Sequence, residues 1–121
     1  MRIKVVGPCA SGKSTLAVRL RALGYDASSA AQDHSFAPEM WRRINPPDVL
    51  IYLDVTLAEA HRRGRTGMGW DQDYLDQQNY RLRHARAHCD FYLLTDGLSE
   101  EDAIGRVVEF LEVAGAQRSR P

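Results

Sequence analysis

Cysteine is scarce in this chain: Cys9 and Cys89 are the only two in 121 residues, and two thiols so far apart make no disulfide framework. Net charge is missing as well. Lys plus Arg and Asp plus Glu stand at 16 each, so the field of the whole molecule gives no reason to expect non-specific binding to DNA, RNA or anionic lipid. No apolar run is long enough to span a bilayer, and no stretch reads as a secretory signal. Repeats, low-complexity tracts and linkers are absent too. These absences set a cytoplasmic protein with no nucleic-acid and no membrane partner as the expectation. What remains is ordinary globular composition, 44% hydrophobic and 26% charged, at the length of one domain. Residues 1–113 read as that domain and residues 114–121 as a frayed tail.

Hydrophobic patterning predicts strands alternating with helices. Ile3–Val6 is a short β-branched run ending at Gly7 and reads as a buried strand. A helix follows Gly12, with Leu16, Val18, Leu20 and Leu23 as its apolar positions and Gly24 as its C-cap. Tyr25–Ala31 reads as a second strand. Ala37–Ile44 reads as a short helix, with Pro38 in its first turn and Asn45, Pro46 and Pro47 as its stop. Val49–Val55 is nearly continuous in apolar residues, the mark of a parallel strand covered on both faces. Thr56 caps a helix to about Arg63, and a glycine-rich loop runs from Gly64 to Gly69. Asp73–His88 reads as one long polar helix, with Leu75, Leu82 and Cys89 as a narrow stripe. Phe91–Leu94 is a last strand. Ser99 and Asp102 open a final helix to Val113, with Ala103, Val107, Phe110 and Leu111 as its apolar face. The alternation implies an α/β fold, a mostly parallel sheet of about four strands with helices on both faces.

One segment carries specific chemistry. Gly7-Pro8-Cys9-Ala10-Ser11-Gly12-Lys13-Ser14 fits the pattern G-x-x-x-x-G-K-[ST] at every position, between an apolar strand and a helix. Glycines let the backbone turn tightly around a phosphate, and successive N–H groups, from Cys9, Ala10 and Ser11 onward, then point at its oxygens. The helix adds the positive end of its dipole. Lys13 brings a point charge to the β and γ phosphates. Ser14 offers a hydroxyl to Mg²⁺, with Thr15 beside it. Cys9 reads as a small space-filling residue that oxidation or alkylation could reach.

The stretch Gly-Pro-x-Ala-Ser-Gly-Lys-Ser-Thr resembles the small P-loop kinases, among them nucleoside monophosphate, shikimate and dephospho-CoA kinases. Val49–Asp54 with Arg62-Arg63-Gly64-Arg65 resembles their strand–helix–lid segment, and Asp90–Ser99 resembles their last strand and final helix. The resemblance implies a three-layer P-loop NTPase fold. It also implies phosphoryl transfer that depends on ATP and Mg²⁺, to a small acceptor such as a nucleoside, a nucleoside monophosphate or a similar metabolite. The alternative is a nucleotide-binding regulatory or stand-alone NTPase module without such an acceptor. Only Ala27–Pro47 stands where those kinases carry their acceptor-binding insertion, and their strand bearing the Mg²⁺-directed acid has no clear counterpart.

Further candidates follow from what phosphoryl transfer needs. Asp33 and Asp54 compete as the metal-orienting acid, with Asp33 favoured. Asp33 or His34, in the polar stretch Gln32–Ser35, could serve as a base. Arg62 and Arg65 are three apart and face one side of a helix end, beside glycines that let a lid close. Arg42 and Arg43 could clamp an anion, and Trp41 reads as core. Trp70 either closes over a ligand or anchors its loop. Thr95-Asp96-Gly97 reads as a turn, and the resemblance implies that it approaches the adenine. Gln77, Arg81, His84 and His88 share a helix face, but no carboxylate or cysteine completes a metal site around the two histidines.

Overall fold

The β-branched run near the amino end becomes β1 (Arg2–Val6), which lies inside the sheet with a partner on each edge. A computed structural model describes residues 1–29, 47–67 and 69–118 of the chain. Strand β1 pairs with β2 (Asp26–Ser29) on one side and with β3 (Val49–Asp54) on the other, while β4 (Phe91–Leu94) lies outside β3. All pairings are parallel: Ile3 stands opposite both Ala27 and Val49, and Ile51 opposite Phe91. The helices among the described residues are α1 (Lys13–Ala22), α2 (Leu57–Arg62), α3 (Gln72–Arg81), α4 (Arg83–His88) and α5 (Glu100–Arg118).

Strand β3 is buried along its whole length, and its residues alternate between two cores. On one face Ile51 and Leu53 join Ile3 and Val5 against Leu16, Ala17 and Leu20 of α1 and Ile104, Val107 and Leu111 of α5. On the other, Leu50 and Tyr52 join Val6 against Leu82 and Ala85, with Cys89 packed at the margin. Helices therefore cover both faces of a parallel sheet, the arrangement expected when parallel strands must hide both sides.

Local chemistry sets the helix starts. The Thr56 hydroxyl accepts from the Glu59 N–H at 3.2 Å, and the Asp71 carboxylate accepts from the Tyr74 N–H at 2.9 Å. Ser99 and Asp102 cap α5 reciprocally, at 3.2 and 3.1 Å, as the capping-box spacing predicts.

Three expectations change. Residues 73–88 do not form one helix, because the chain turns at Leu82 between α3 and α4. The turn leaves Gln78 of α3 free to reach the loop after β1 while Leu82 and Ala85 sit on the sheet. Helix α5 continues beyond Val113 to Arg118, through residues expected to fray. In α1 the apolar face is Leu16, Ala17 and Leu20, and Val18 is exposed. Val18 follows Leu16 by two residues, about 200° around a helix, and so points outward. Leu23 lies at the cap, where the chain leaves the core, and is exposed as well. The second strand is described over Asp26–Ser29, and residues 30 and 31 of the expected span lie outside the described residues. The expected helix Ala37–Ile44 lies outside the described residues. Among the described residues no helix is long and apolar enough to cross a membrane.

Leu111 is 1% exposed and Val113 56% exposed, on the same helix. Leu111→Ala should cost about 2–5 kcal/mol in urea unfolding, and Val113→Ala less than about 0.5 kcal/mol. Equal losses would contradict the placement of α5 on the sheet.

Candidate functional site

The carboxyl ends of β1, β3 and β4 open onto a cleft of about 720 Å³, and the segment Gly7–Ser14 forms one wall of it from Pro8 onward. The segment is shaped by close contacts. A side-chain carbon on Gly7 would stand 2.2 Å from the Leu53 carbonyl oxygen, so only glycine lets this loop cross β3 so closely. Gly12 has φ +93°, the left-handed conformation from which α1 starts. Ala10 also has positive φ, 69°, which is rare for a residue with a side chain and marks a loop held by its surroundings.

The holding groups are identifiable. Arg63, at the end of α2, donates to the Ala10 carbonyl at 2.6 Å, to the Thr95 carbonyl at 2.9 Å and to the Thr95 hydroxyl at 3.1 Å. It also donates to the Glu59 carboxylate at 3.2 Å. Thr95 is buried, and its hydroxyl donates to the Asp54 carbonyl at 2.9 Å, with the Ser11 carbonyl 3.3 Å away. From the opposite layer, the Gln78 side-chain oxygen accepts from the Cys9 N–H at 2.8 Å. Lys13 Nζ donates to the Gly7 carbonyl at 2.9 Å. The Ser11 hydroxyl is buried and has no hydrogen-bond partner among the described residues.

These contacts leave an anion-seeking surface. Helix α1 turns its amino end to the cleft through Gly12, Lys13, Ser14 and Thr15, where backbone N–H groups lack helical partners and the dipole is positive. The hydroxyls of Ser14 and Thr15 belong to exposed residues on that wall. Arg65 lines the cleft as well, and among the described residues one carboxylate residue, Glu100, lines it too. Trp70 and Tyr74 form an edge-to-face pair, 5.0 Å between centroids, on another wall. The Trp70 carbonyl lies 2.8 Å from His61 Nε2, which ties the end of the glycine-rich loop back to α2.

The sequence candidates fall in different places. Gly12, Lys13, Ser14, Thr15, Cys9, Ala10, Ser11 and Arg65 share the cleft wall, and Gly7 lies buried beneath. Arg62 is outside that wall and forms an ion pair with Glu59, whose carboxyl that bond holds below the ordinary carboxylate range. Asp54 is also outside. Its oxygens accept from the Val55 N–H at 2.8 Å and the Tyr92 hydroxyl at 2.5 Å, with Arg86 at 3.8 Å, so it serves the opposite layer. Asp33, His34, Trp41, Arg42 and Arg43 lie outside the described residues. His84 and His88 stack at 4.1 Å, and among the described residues no three His, Cys, Asp or Glu side chains gather to hold a metal. Sequence reasoning did not single out Arg63, Thr95 and Gln78 as the residues that shape the loop. Two adjacent arginines look equivalent in a sequence, and a glutamine in a polar helix gives no signal. No family model matches the chain, and no curated protein matches it.

Removing the Arg63 side chain would strand the carbonyls of Ala10 and Thr95, at about 1–3 kcal/mol. Thermal melts should therefore show a clear loss for Arg63→Ala and little change for Arg62→Ala, whose exposed pair contributes little. The reverse order would contradict the hub.

Burial, then the hydrogen bond to Asp54, pushes the Tyr92 phenol up to about 12. Because the raised value favours the neutral phenol, its contribution is complete below the ordinary phenol value near 10 and is lost as pH rises toward 12. Burial pushes the Tyr52 phenol up as well, so ultraviolet titration should show late-ionising tyrosines and one fewer of them in Tyr92→Phe.

Proposed function

We propose that the protein binds ATP with Mg²⁺ and transfers a phosphoryl group to a small acceptor, a nucleoside, a nucleoside monophosphate or a similar metabolite. The observation that carries this reading is the Gly7–Ser14 segment itself, which bends between a buried parallel strand and a helix amino end and faces a cleft. A three-layer P-loop NTPase fold is the corresponding reading of the architecture. The cleft wall fits a polyphosphate: it combines helix N–H groups, the Lys13 ammonium and the Arg65 guanidinium.

In this reading Lys13 leaves the Gly7 carbonyl and sets its charge against the β and γ phosphates. Ser14 and Asp33 would hold Mg²⁺, which would supply positive charge against the phosphates. Asp33 follows Ser29 closely in sequence, and Ser29 stands opposite Val5 of β1, near where the loop begins. The engagement of Asp54 by Tyr92 and the Val55 N–H argues against the competing acid. Arg65, with its planar paired donors, suits the oxygens of the transferred group. Arg62 enters the same role only by leaving Glu59.

Lys13→Ala should lower turnover of ATP with Mg²⁺ by several orders of magnitude while leaving the fold intact. Arg65→Ala should lower kcat by roughly 10²–10⁴ and weaken ATP binding far less. The deciding measurement is ADP release across a panel of hydroxyl and phosphate acceptors. Release that needs a particular acceptor supports the transferase. Equal release in water alone would favour a stand-alone NTPase, and wild-type turnover by Lys13→Ala would remove the reading altogether.

A further inference from the structure

Two rings on the cleft wall are used by neither core. Trp70 and Tyr74 line the cleft as an edge-to-face pair, but they belong to neither of the buried clusters that flank the sheet. Phe91 and Phe110 show the contrast: they stack on each other and pack against the core between α1, the sheet and α5. The backbone under the cleft pair is fixed. The Trp70 N–H donates to the Gly67 carbonyl at 3.3 Å, the Trp70 carbonyl lies 2.8 Å from His61 Nε2, and the Asp71 carboxylate caps the Tyr74 N–H. Tyr74 stands one helical turn before Gln78, whose side chain holds the Cys9 N–H, so both share the face of α3 that is turned to the loop. Rings on a backbone held this way lose little conformational freedom when a ligand stacks on them.

We infer that Trp70 and Tyr74 are specificity-determining residues that form a stacking platform for the phosphoryl acceptor, which therefore carries a planar aromatic ring, as a nucleoside or a nucleoside monophosphate does. The inference rests on the phosphoryl-transfer reading of the cleft and narrows it. A nucleotide anchored by its phosphates on Gly7–Ser14 sends its own base to one wall only. Helices α3 and α5 lie on the two faces of the sheet, and the cleft takes a wall from each side. The α5 side is aliphatic, with Leu98, Ala103 and Ile104, and holds the base of ATP by dispersion. The aromatic side is left to the second reactant. Arg65, whose donors suit the oxygens of the transferred group, belongs to the same loop that leads into Trp70, so one segment supplies both parts. Among the described residues the cleft's one carboxylate residue, Glu100, stands at the start of α5 and not on the aromatic side. That side therefore accepts a phosphorylated acceptor without like-charge repulsion.

The test pairs acceptors that differ only in the ring. Nucleosides and nucleoside monophosphates are offered to the whole chain with ATP·Mg²⁺, beside ribose and ribose phosphate. A ring-bearing acceptor should be used and its ring-free counterpart should not. Trp70→Leu should raise KM for that acceptor roughly 5- to 150-fold, the equivalent of one stacked base, with a smaller change in kcat. The ATP·Mg²⁺ Kd by calorimetry should change less than about 2-fold. Trp70→Phe, which keeps a ring, should recover most of the loss. Tyr74→Leu should raise KM in the same direction, and it decides the matter if Trp70→Leu does not fold. Equal use of ring-free acceptors overturns the platform and leaves phosphoryl transfer standing. So does a loss in Trp70→Leu that falls on ATP binding instead, an unchanged KM in both leucine variants, or a wild-type protein that uses no ring-bearing acceptor. Equal ADP release in water alone removes the transferase reading and the platform with it.

Discussion

The guanidinium of Arg63 donates at once to the Ala10 carbonyl, to Thr95 and to Glu59, and so joins three segments that are far apart in sequence. Its planar fork can serve several acceptors without distortion, which a lysine could not do. Glu59 is itself buried and supplies the counter-charge that makes a partly enclosed guanidinium tolerable. With this group in place, the left-handed conformation of Ala10 is imposed by the surroundings and not by the local sequence. The shape of the cleft wall thus depends on a residue at the end of a six-residue helix that is too short to be stable alone.

The loop is best understood as a tethered object. Four of its residues each have a contact with a different element: Gly7 with β3, Cys9 with α3, Ala10 with the cap of α2, Ser11 with the turn after β4. Contacts from both sheet faces therefore meet on one short stretch of backbone. Catalysis by electrostatic stabilisation requires such preorganisation, since donors that must first be gathered lose much of their advantage.

Much of the frame was legible from the sequence, for clear reasons. Strand β3 announced itself because burial on both faces demands an uninterrupted apolar run. The capping pair Ser99–Asp102 was legible because the hydrogen bonds are local and the spacing is fixed by the helix. The exposed Val18 was misplaced because its hydrophobicity outweighed its angular position. The turn at Leu82 was missed because no glycine or proline marks it, and the contacts around it, Gln78 on Cys9 and Leu82 on the sheet, are tertiary. Arg63 could not be told from Arg62 or Arg65, since their difference lies in which one faces Thr95. Asp33 and its neighbours lie outside the described residues, so the second half of the candidate site rests on sequence.

The position of β1 inside the sheet bears on how the chain is made. Parallel neighbours cannot be joined by a tight turn, so each pairing waits for a crossover to be synthesised. On a ribosome β1 emerges first and can pair early only with β2; its second edge stays open until Val49–Asp54 appears, and β3 waits in turn for Phe91–Leu94. The most apolar strand in the chain is therefore the one left half-covered during elongation, when exposed strand edges invite aggregation. Slowed translation or chaperone capture in that interval would matter more to the yield of this protein than its final stability.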